Sequence, residues 1–401
     1  MTDPSAGGVA GARAVVLGAG RQGTAAAYDL GRYGGAGEVL LLDADEGRLE
    51  EAAARLEPVL AGVLVRTAGV NAADPAALTE EMRGAAVAVY ALPYPLGPVA
   101  DEAAIEAGCS LVDLGGNADY SRQILELHLR AVRAGVSLVP DTGLAPGLAN
   151  TLAVDGIGRL DEARSVKIWC GGLPSEPIPP LGYRQVFHIE GLLNEYSGEA
   201  VYLRDGKLVR VPALAEIERL ELPHVGVVEA FTTSGGTSTA PETFLGRLEH
   251  YEYRTVRYSG HRDRFLTLTD LGLLSDEEIP TEDGCSCRPR DLLVRLLAPL
   301  IDRPEVPDLV VLRVQVRGSH AGTASQMIYD VFDREDDVSG FTAMERCTAH
   351  PAATVAEMAA AGEIEPGARP LEIAVPPQRF LDRFARRPIE LTVRGPEPFD
   401  E

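Results

Sequence analysis

The sequence predicts an α/β chain: a doubly wound parallel sheet, then a second α+β domain with a mixed, largely antiparallel sheet. Three observations carry this. Up to about residue 139, strand-length apolar runs alternate with helical stretches. From about Arg164 short strands follow one another, punctuated by turn signals such as Arg204-Asp205-Gly206. The length, 401 residues, exceeds what one hydrophobic core ordinarily serves.

The first strand is the apolar run 14–17, which ends in Gly18-Ala19-Gly20-Arg21-Gln22-Gly23 and leads into an Ala-rich helix. A second run, 39–42, delivers Asp43, twenty positions after Gly23. Gly18 permits the tight turn, Gly20 lets backbone approach a pyrophosphate, and Gly23 lets helix and strand pack closely. The helix N-terminus faces the negative charge. Asp43 can accept hydrogen bonds from a ribose 2′-hydroxyl. Strand, glycines, helix, strand and acid in that order indicate a Rossmann-type dinucleotide domain. A carboxylate at 43 would repel a 2′-phosphate. Ala44, Asp45 and Glu46 offer no cation, and Arg48 is the first, which favours NAD over NADP. The competing role for Asp43 is to cap the helix that begins near Glu46.

The alternation continues with helix 46–56, strand 63–65, helix 76–82 and strand 87–92. Helix 100–107, strand 110–114, helix 124–134 and strand 136–139 complete it. Right-handed crossovers put the strand C-termini on one edge, where ligands bind. The expected cofactor site is therefore Gly18, Gly20, Arg21, Gln22, Gly23, Asp43, Ala91, Leu92, Pro93, Gly115, Gly116 and Asn117, with residues 141–147 converging on the same crevice. Domain boundaries are expected at 1–143 for dinucleotide binding and 144–340 for substrate binding and oligomerisation. Residues 341–390 read as a C-terminal helix returning to the first domain. The end of the chain from Gly395 reads as loose.

Hydrophobic residues make up 45%, as in a globular enzyme, and the net charge is −23. That charge argues against a nucleic-acid partner and mildly favours a cationic small molecule. Residues 1–12 read as a frayed leader without signal-peptide character, and no run is long enough to span a bilayer. Cys109, Cys170, Cys285, Cys287 and Cys347 are scattered, which fits a reducing cytoplasm. Cys285-Ser286-Cys287 has no second close pair, so no metal is expected.

Three stretches of the second half concentrate polar chemistry. Glu190 and Asn194 lie four apart on one helical face, followed by Glu195. Residues 232–239 (TTSGGTST) flank two glycines with hydroxyls, a turn with many donors. Arg257 can hold a carboxylate bidentately, and His261 titrates near neutrality. Each has a plainer role: solvated helix charges, a hairpin connection, the first residue of a helix. His188 reads as a packed core or rim histidine, and Tyr251 and Tyr253 as one packed strand face.

The blocks GAGRQG with DAD, ALPYPLG, DLGGN, PDTGLAPGLAN, CGGLP, IEGLLNEY, TSGGTST, RYSGH and GFTAM together resemble the lysine 6-dehydrogenases of the saccharopine dehydrogenase-like group. The resemblance covers residues 13 to 380. It implies a Rossmann domain, an α+β domain, NAD, a homo-oligomer and a basic amino acid as substrate. The implied reaction oxidises the side-chain amine of L-lysine to allysine, which closes to piperideine-6-carboxylate. Saccharopine-type reduction, or oxidation of another basic amino acid, is the alternative. A free lysine amine has a pKa of ~10.4, so a base or an alkaline optimum is expected. Glu190, Glu195, His261 and Asp141 are the candidate bases, and Arg257 or Arg184 the carboxylate clamp. Asn194, Thr237 and Ser238 would orient the amines. The segment around Cys285 has no counterpart in these enzymes.

Overall fold

The computed structural model describes residues 8–280 and 286–399, and Cys285 lies outside them. The described chain forms two compact units. The first runs to Gly158 and adds Ser238–Thr243 and Glu345–Ile389, while the second holds Arg159–Thr237, Phe244–Met344 and the residues from Glu390.

The first unit is a Rossmann-type doubly wound sheet. Its strands lie in the order Gly367–Ala368, Ser137–Val139, Leu111–Asp113, Val87–Tyr90, Arg13–Leu17, Glu38–Asp43, Leu64–Gly69, all parallel. The order reverses between Arg13–Leu17 and Val87–Tyr90, which makes their C-terminal ends the switch point. The inner strands are almost wholly buried because helices cover both faces, whereas the edge strand Leu64–Gly69 is largely exposed. Ala100, Ala103 and Ala104 are buried on helix Gly97–Ala107 at i, i+3 and i+4 spacing, so small side chains let that helix approach the sheet closely. Asp45 caps helix Glu46–Leu56 through the Arg48 amide, and Asp74 caps Pro75–Met82, whose first residue needs no donor. The expected helix 124–134 is two, Ala118–Glu126 and His128–Ala134, meeting at Leu127.

The second unit is α+β. Its main sheet runs Glu218–Leu222, Gly226–Phe231, His250–Arg257, Glu162–Pro174, Asp308–His320, Thr323–Arg334, Glu390–Pro398. Only the pairing of His250–Arg257 with Glu162–Pro174 is parallel. Hairpin Glu199–Arg204/Lys207–Pro212 turns at Asp205 and Gly206, both at positive φ (47° and 70°), which matches the right-handed twist of the strands. Val310, Leu312, Val314 and Val316 alternate onto one face and are buried there, each contributing ~1.5–3 kcal/mol. Gly318 sits at a register shift, where a Cβ would fall 1.9 Å from the Glu162 carbonyl. Residues Gly395 to Pro398 are not loose as expected. Residues 390–398 pair with Thr323–Arg334 up to Pro398, because the long hairpin leaves an edge with free backbone groups. Among the described residues no helix is long and apolar enough to cross a membrane.

Candidate functional site

In the first unit the dinucleotide fingerprint forms the turn its spacing calls for. Gly18 has φ 107°, and a Cβ there would lie 2.7 Å from the Ala91 carbonyl and 3.2 Å from Leu92. Thus strand ends 17 and 90 touch at the switch point. A Cβ on Gly23 would fall 1.8 Å from the Gly18 carbonyl, so helix Arg21–Arg32 rests directly on the turn. Gly20 differs: a Cβ there meets nothing within 4 Å. The space above Gly20 is the cradle a pyrophosphate would fill, at the start of a helix with no side-chain cap. Asp43 is buried and held. Oδ2 accepts the Ala19 amide at 2.9 Å and Oδ1 the Asp45 amide at 3.0 Å. The helix cap at this point is Asp45, not Asp43. A dinucleotide fits these residues.

The other expected cofactor residues occupy the same C-terminal edge of the sheet. Arg21 is exposed and Gln22 half-buried at the helix start. Ala91, Leu92 and Pro93 follow the fourth strand, and the Tyr90 hydroxyl donates to the Pro93 carbonyl at 2.6 Å. Gly115 and Gly116 are exposed after strand Leu111–Asp113, and Asn117 caps the next helix through the Tyr120 amide at 2.9 Å. Beside them sit two buried acids. Asp113 accepts the Gly115 and Asp141 amides at 2.6 and 3.2 Å. Asp141, at φ 63°, accepts the Ser238 hydroxyl, and Ser238 is itself at φ 45°. Burial raises both carboxyls, and Asp141 raises Asp113 further. Among the described residues Asp141 Oδ1 makes no hydrogen bond of ordinary geometry, although the Ser121 hydroxyl and the Gly116 amide lie close enough to oppose the rise.

The second unit gathers another group. Glu195 ends helix Ile189–Glu195; its side chain keeps 35% exposure and lies 3.8 Å from Arg257 Nη2. Burial pushes its carboxyl up to about 7, and Arg257 pulls only partly against that. Arg257 is buried at the end of its strand, with its guanidinium 5.2 Å from the ring centre of Tyr183 and 5.9 Å from that of Tyr196. Tyr253, Thr255 and Thr233 adjoin it: Thr233 and Thr255 hydroxyls meet at 2.6 Å, and Thr255 donates to the Tyr253 phenol at 3.3 Å. The Tyr183 phenol, beside the Val186 amide, makes no hydrogen bond of ordinary geometry among the described residues. This basin offers one half-open carboxyl titrating near neutrality, one buried cation and several hydroxyls.

The remaining candidates are placed differently from expectation. Arg290 is buried and claims two of them, donating to Glu190 Oε2 at 3.0 Å and to Asn194 Oδ1 at 2.5 Å, which makes that face a helix anchor. Four hydroxyls of the turn 232–239 are already engaged. Ser234 Oγ donates to the Asn194 carbonyl; the buried hydroxyls, which must find acceptors, go from Thr237 Oγ1 to the Val201 carbonyl, from Ser238 to Asp141 and from Thr239 to Glu372. Gly236 is required there: a Cβ would meet the Tyr253 ring at 2.3 Å. His261 begins helix His261–Asp270 fully buried, and burial, with Arg257 next, pushes it down to about 3. It is a neutral imidazole, unsuited to accept a proton at neutral pH. Arg184 is buried and donates to the Val306 carbonyl, and its Nε has no hydrogen-bond partner among the described residues. His188 is exposed and caps helix Ile189–Glu195, so it is not packed. Tyr183, Tyr196 and Arg290 were not anticipated as site residues. Only the adjacency of Tyr196 to Glu195 in NEY hinted at one of them.

Comparison with known proteins places these sites in context. Residues 14–139 match the family model described as saccharopine dehydrogenase NADP binding domain. Residues 143–389 match the saccharopine dehydrogenase C-terminal domain. Saccharopine dehydrogenase (NADP(+), L-glutamate-forming) of Pyricularia oryzae is 27% identical over 216 residues, 52% of this chain and 47% of that protein. Carboxynorspermidine synthase of Vibrio cholerae is 26% identical over 261 residues, 62% of this chain and 61% of that protein. The chain thus spans about half the length of the fungal relatives it matches. The apo saccharopine dehydrogenase (L-Glu forming) of Saccharomyces cerevisiae shares the fold, with a TM-score of 0.76 at 19% identity over 96% of this chain and all of that one (100%).

Proposed function

The chain belongs to the saccharopine dehydrogenase family, and on that premise we propose that it oxidises the side-chain amine of L-lysine with NAD. The product is allysine, which cyclises to piperideine-6-carboxylate. The observation that carries this reading is the placement of Glu195, a half-open carboxyl 3.8 Å from the Arg257 guanidinium in a basin of hydroxyls, which burial raises above the ordinary carboxylate range. An ammonium of solution pKa ~10.4 must lose a proton before its carbon can lose hydride, and a carboxylate of this kind accepts one. The nicotinamide, when bound, supplies the hydride acceptor. Water then replaces the nitrogen, which leaves as ammonia.

NAD is favoured by Asp43, a buried carboxyl at the end of the second strand, which would disfavour a 2′-phosphate. Arg48, the first cation after it, has its guanidinium 3.7 Å from the Asp45 carboxylate. A second reading, saccharopine-type reduction with NADPH, is favoured by the NADP(+) in the fungal relatives' names. One assay separates them. The protein is incubated with each basic amino acid and NAD or NADP at alkaline pH, with o-aminobenzaldehyde to trap cyclic imine. Lysine should give NADH and trapped imine together, and Glu195→Gln should cut turnover ~10²–10⁴-fold. NADH without trapped imine overturns side-chain deamination. Turnover only with NADPH, glutamate and an aldehyde selects the second reading.

A further inference from the structure

Arg257 stands beside Glu195 without closing on it. The 3.8 Å between Nη2 and the carboxylate is beyond hydrogen-bond reach. The rest of the guanidinium is engaged elsewhere: Nε donates to Tyr196 Oη at 2.9 Å and Nη1 to the Val256 carbonyl at 2.9 Å. Tyr196 is fixed in turn. His261 Nδ1 lies 2.9 Å from the Leu181 carbonyl, which can only accept, so Nδ1 carries the ring proton. Nε2 is then a bare acceptor, and it takes the Tyr196 phenol proton at 2.8 Å. With its proton aimed at His261, the phenol oxygen presents lone pairs to Arg257. Leu181, His261, Tyr196 and Arg257 thus form one directed chain, and all but the carbonyl belong to buried side chains.

We propose that Tyr196 and His261 are positioning residues that hold the Arg257 guanidinium one step short of Glu195, leaving that carboxyl free to accept a proton instead of locked in a closed ion pair. This rests on the reading of Glu195 as the base. The groups that face Glu195 are Arg257 and Cys170 from neighbouring strands, Tyr253 on the Arg257 strand, Tyr183 from the preceding loop and Tyr196 next to it. Burial raises the thiol and the phenols, so near neutrality they are uncharged, and Arg257 is the one cation among them. His261 behind Tyr196 is neutral as well. The distance kept by Arg257 therefore decides how strongly Glu195 holds its proton.

Tyr196→Phe removes the acceptor of Nε at almost constant volume. The Glu195 carboxylate, 3.8 Å from Nη2, is an acceptor able to take the freed guanidinium, so the pair should close and the carboxyl titrate lower. The test is the pH profile of kcat/KM. The wild-type acid limb near 7 should move down by a unit or more in Tyr196→Phe, and in the same direction but less in His261→Phe. A residue that merely supports the fold would lower the plateau and leave the limb in place, and an unmoved or raised limb overturns the proposal. A second readout needs no turnover: the ¹³C-carboxyl titration of Glu195, assigned by its disappearance in Glu195→Gln. A midpoint lowered by Tyr196→Phe while Glu195→Gln stays active would refute Glu195 as base and uphold the positioning. An unmoved midpoint refutes the positioning whatever Glu195→Gln does.

Discussion

The Ala19 amide donates to Asp43 Oδ2 at 2.9 Å, joining the glycine turn to the end of the second strand. Both carboxylate oxygens are engaged by backbone, yet each keeps a lone pair for a ribose hydroxyl. Hydrogen bonds to a charged group are worth ~1.5–3 kcal/mol. Asp43→Ser should therefore weaken NADH binding ~10–100-fold while NADPH is held as well or better. Fluorescence titration with both coenzymes measures this, and equal losses would remove the carboxylate–ribose argument.

Gly23→Ala tests the turn itself. The added methyl would lie 1.8 Å from the Gly18 carbonyl, a backbone atom that cannot swing aside as a side chain does. Overpacking of this kind costs ~1–3 kcal/mol. The urea midpoint should fall, and coenzyme affinity should fall with it as helix Arg21–Arg32 lifts off the strand. Gly20→Ala, with open space above it, should leave the midpoint near wild type and lose only coenzyme binding. If both variants lose the same stability, the cradle is misassigned.

The imidazole of His261 gives a pH dependence of known sign. Its folded value, about 3, lies below the ordinary 6.5, chiefly through burial. Between these values the unfolded chain holds the proton and the folded one does not, so this group's stability is full above 6.5 and falls as pH drops toward 3. The slope approaches ~1.4 kcal/mol per pH unit for one group. Glu195 is raised, so its contribution runs the opposite way between its ordinary 4.5 and about 7. Gln keeps a side-chain oxygen that can accept the Tyr196 phenol proton in place of Nε2, so in a comparison of wild type with His261→Gln the Glu195 term is common and cancels. From pH 7.5 to 5.5 the wild type should lose ~1 kcal/mol more than the variant in urea unfolding. Parallel losses would mean that His261 is not buried as a neutral ring.

The first unit was legible because its signals are local. A strand, a glycine turn, a helix and an acid lie within residues 13–43, and periods of 2 and 3.6 can be read along the chain. What was not legible is non-local. Gly367–Ala368 is two residues long and joins strand Ser137–Val139 across more than two hundred positions, with no period to betray it. The basin of the second unit has the same difficulty. Arg257 and His261 stood out along the chain, but Tyr196, which joins them, did not, because its bonds to them span 61 and 65 positions. Hydroxyls in TSGGTST were visible as donors, whereas their acceptors on Val201, Asp141 and Glu372 were not.

Arg387 and Asp29 show how the late segment Glu345–Ile389 is built into the first unit. Arg387 Nε donates to Asp29 Oδ2 at 3.1 Å and Nη2 to Oδ1 at 2.5 Å, and Nη2 also reaches Glu357. His350 Nδ1 lies 2.7 Å from the same Asp29. Asp29 sits on the inner face of helix Arg21–Arg32 with no solvent exposure, so its charge is tolerable only while paired. Burial opposes the ionised form, yet Arg387 and His350 outweigh it and hold the carboxyl below its ordinary 3.8. Removing one partner of a buried pair costs ~3–5 kcal/mol, because the other charge is left in a poor solvent. Arg387→Met should destabilise the protein by about that much at pH 7. Adding Asp29→Asn should recover part of the loss, since it removes the stranded charge. The sign with pH is fixed by the depressed carboxyl: the stabilisation is whole at neutrality and fades only as pH falls below about 3.8. Urea midpoints of wild type, both single variants and the double variant at pH 7 measure the coupling. Strictly additive losses would mean that the late segment is held by its apolar contacts and not by this pair.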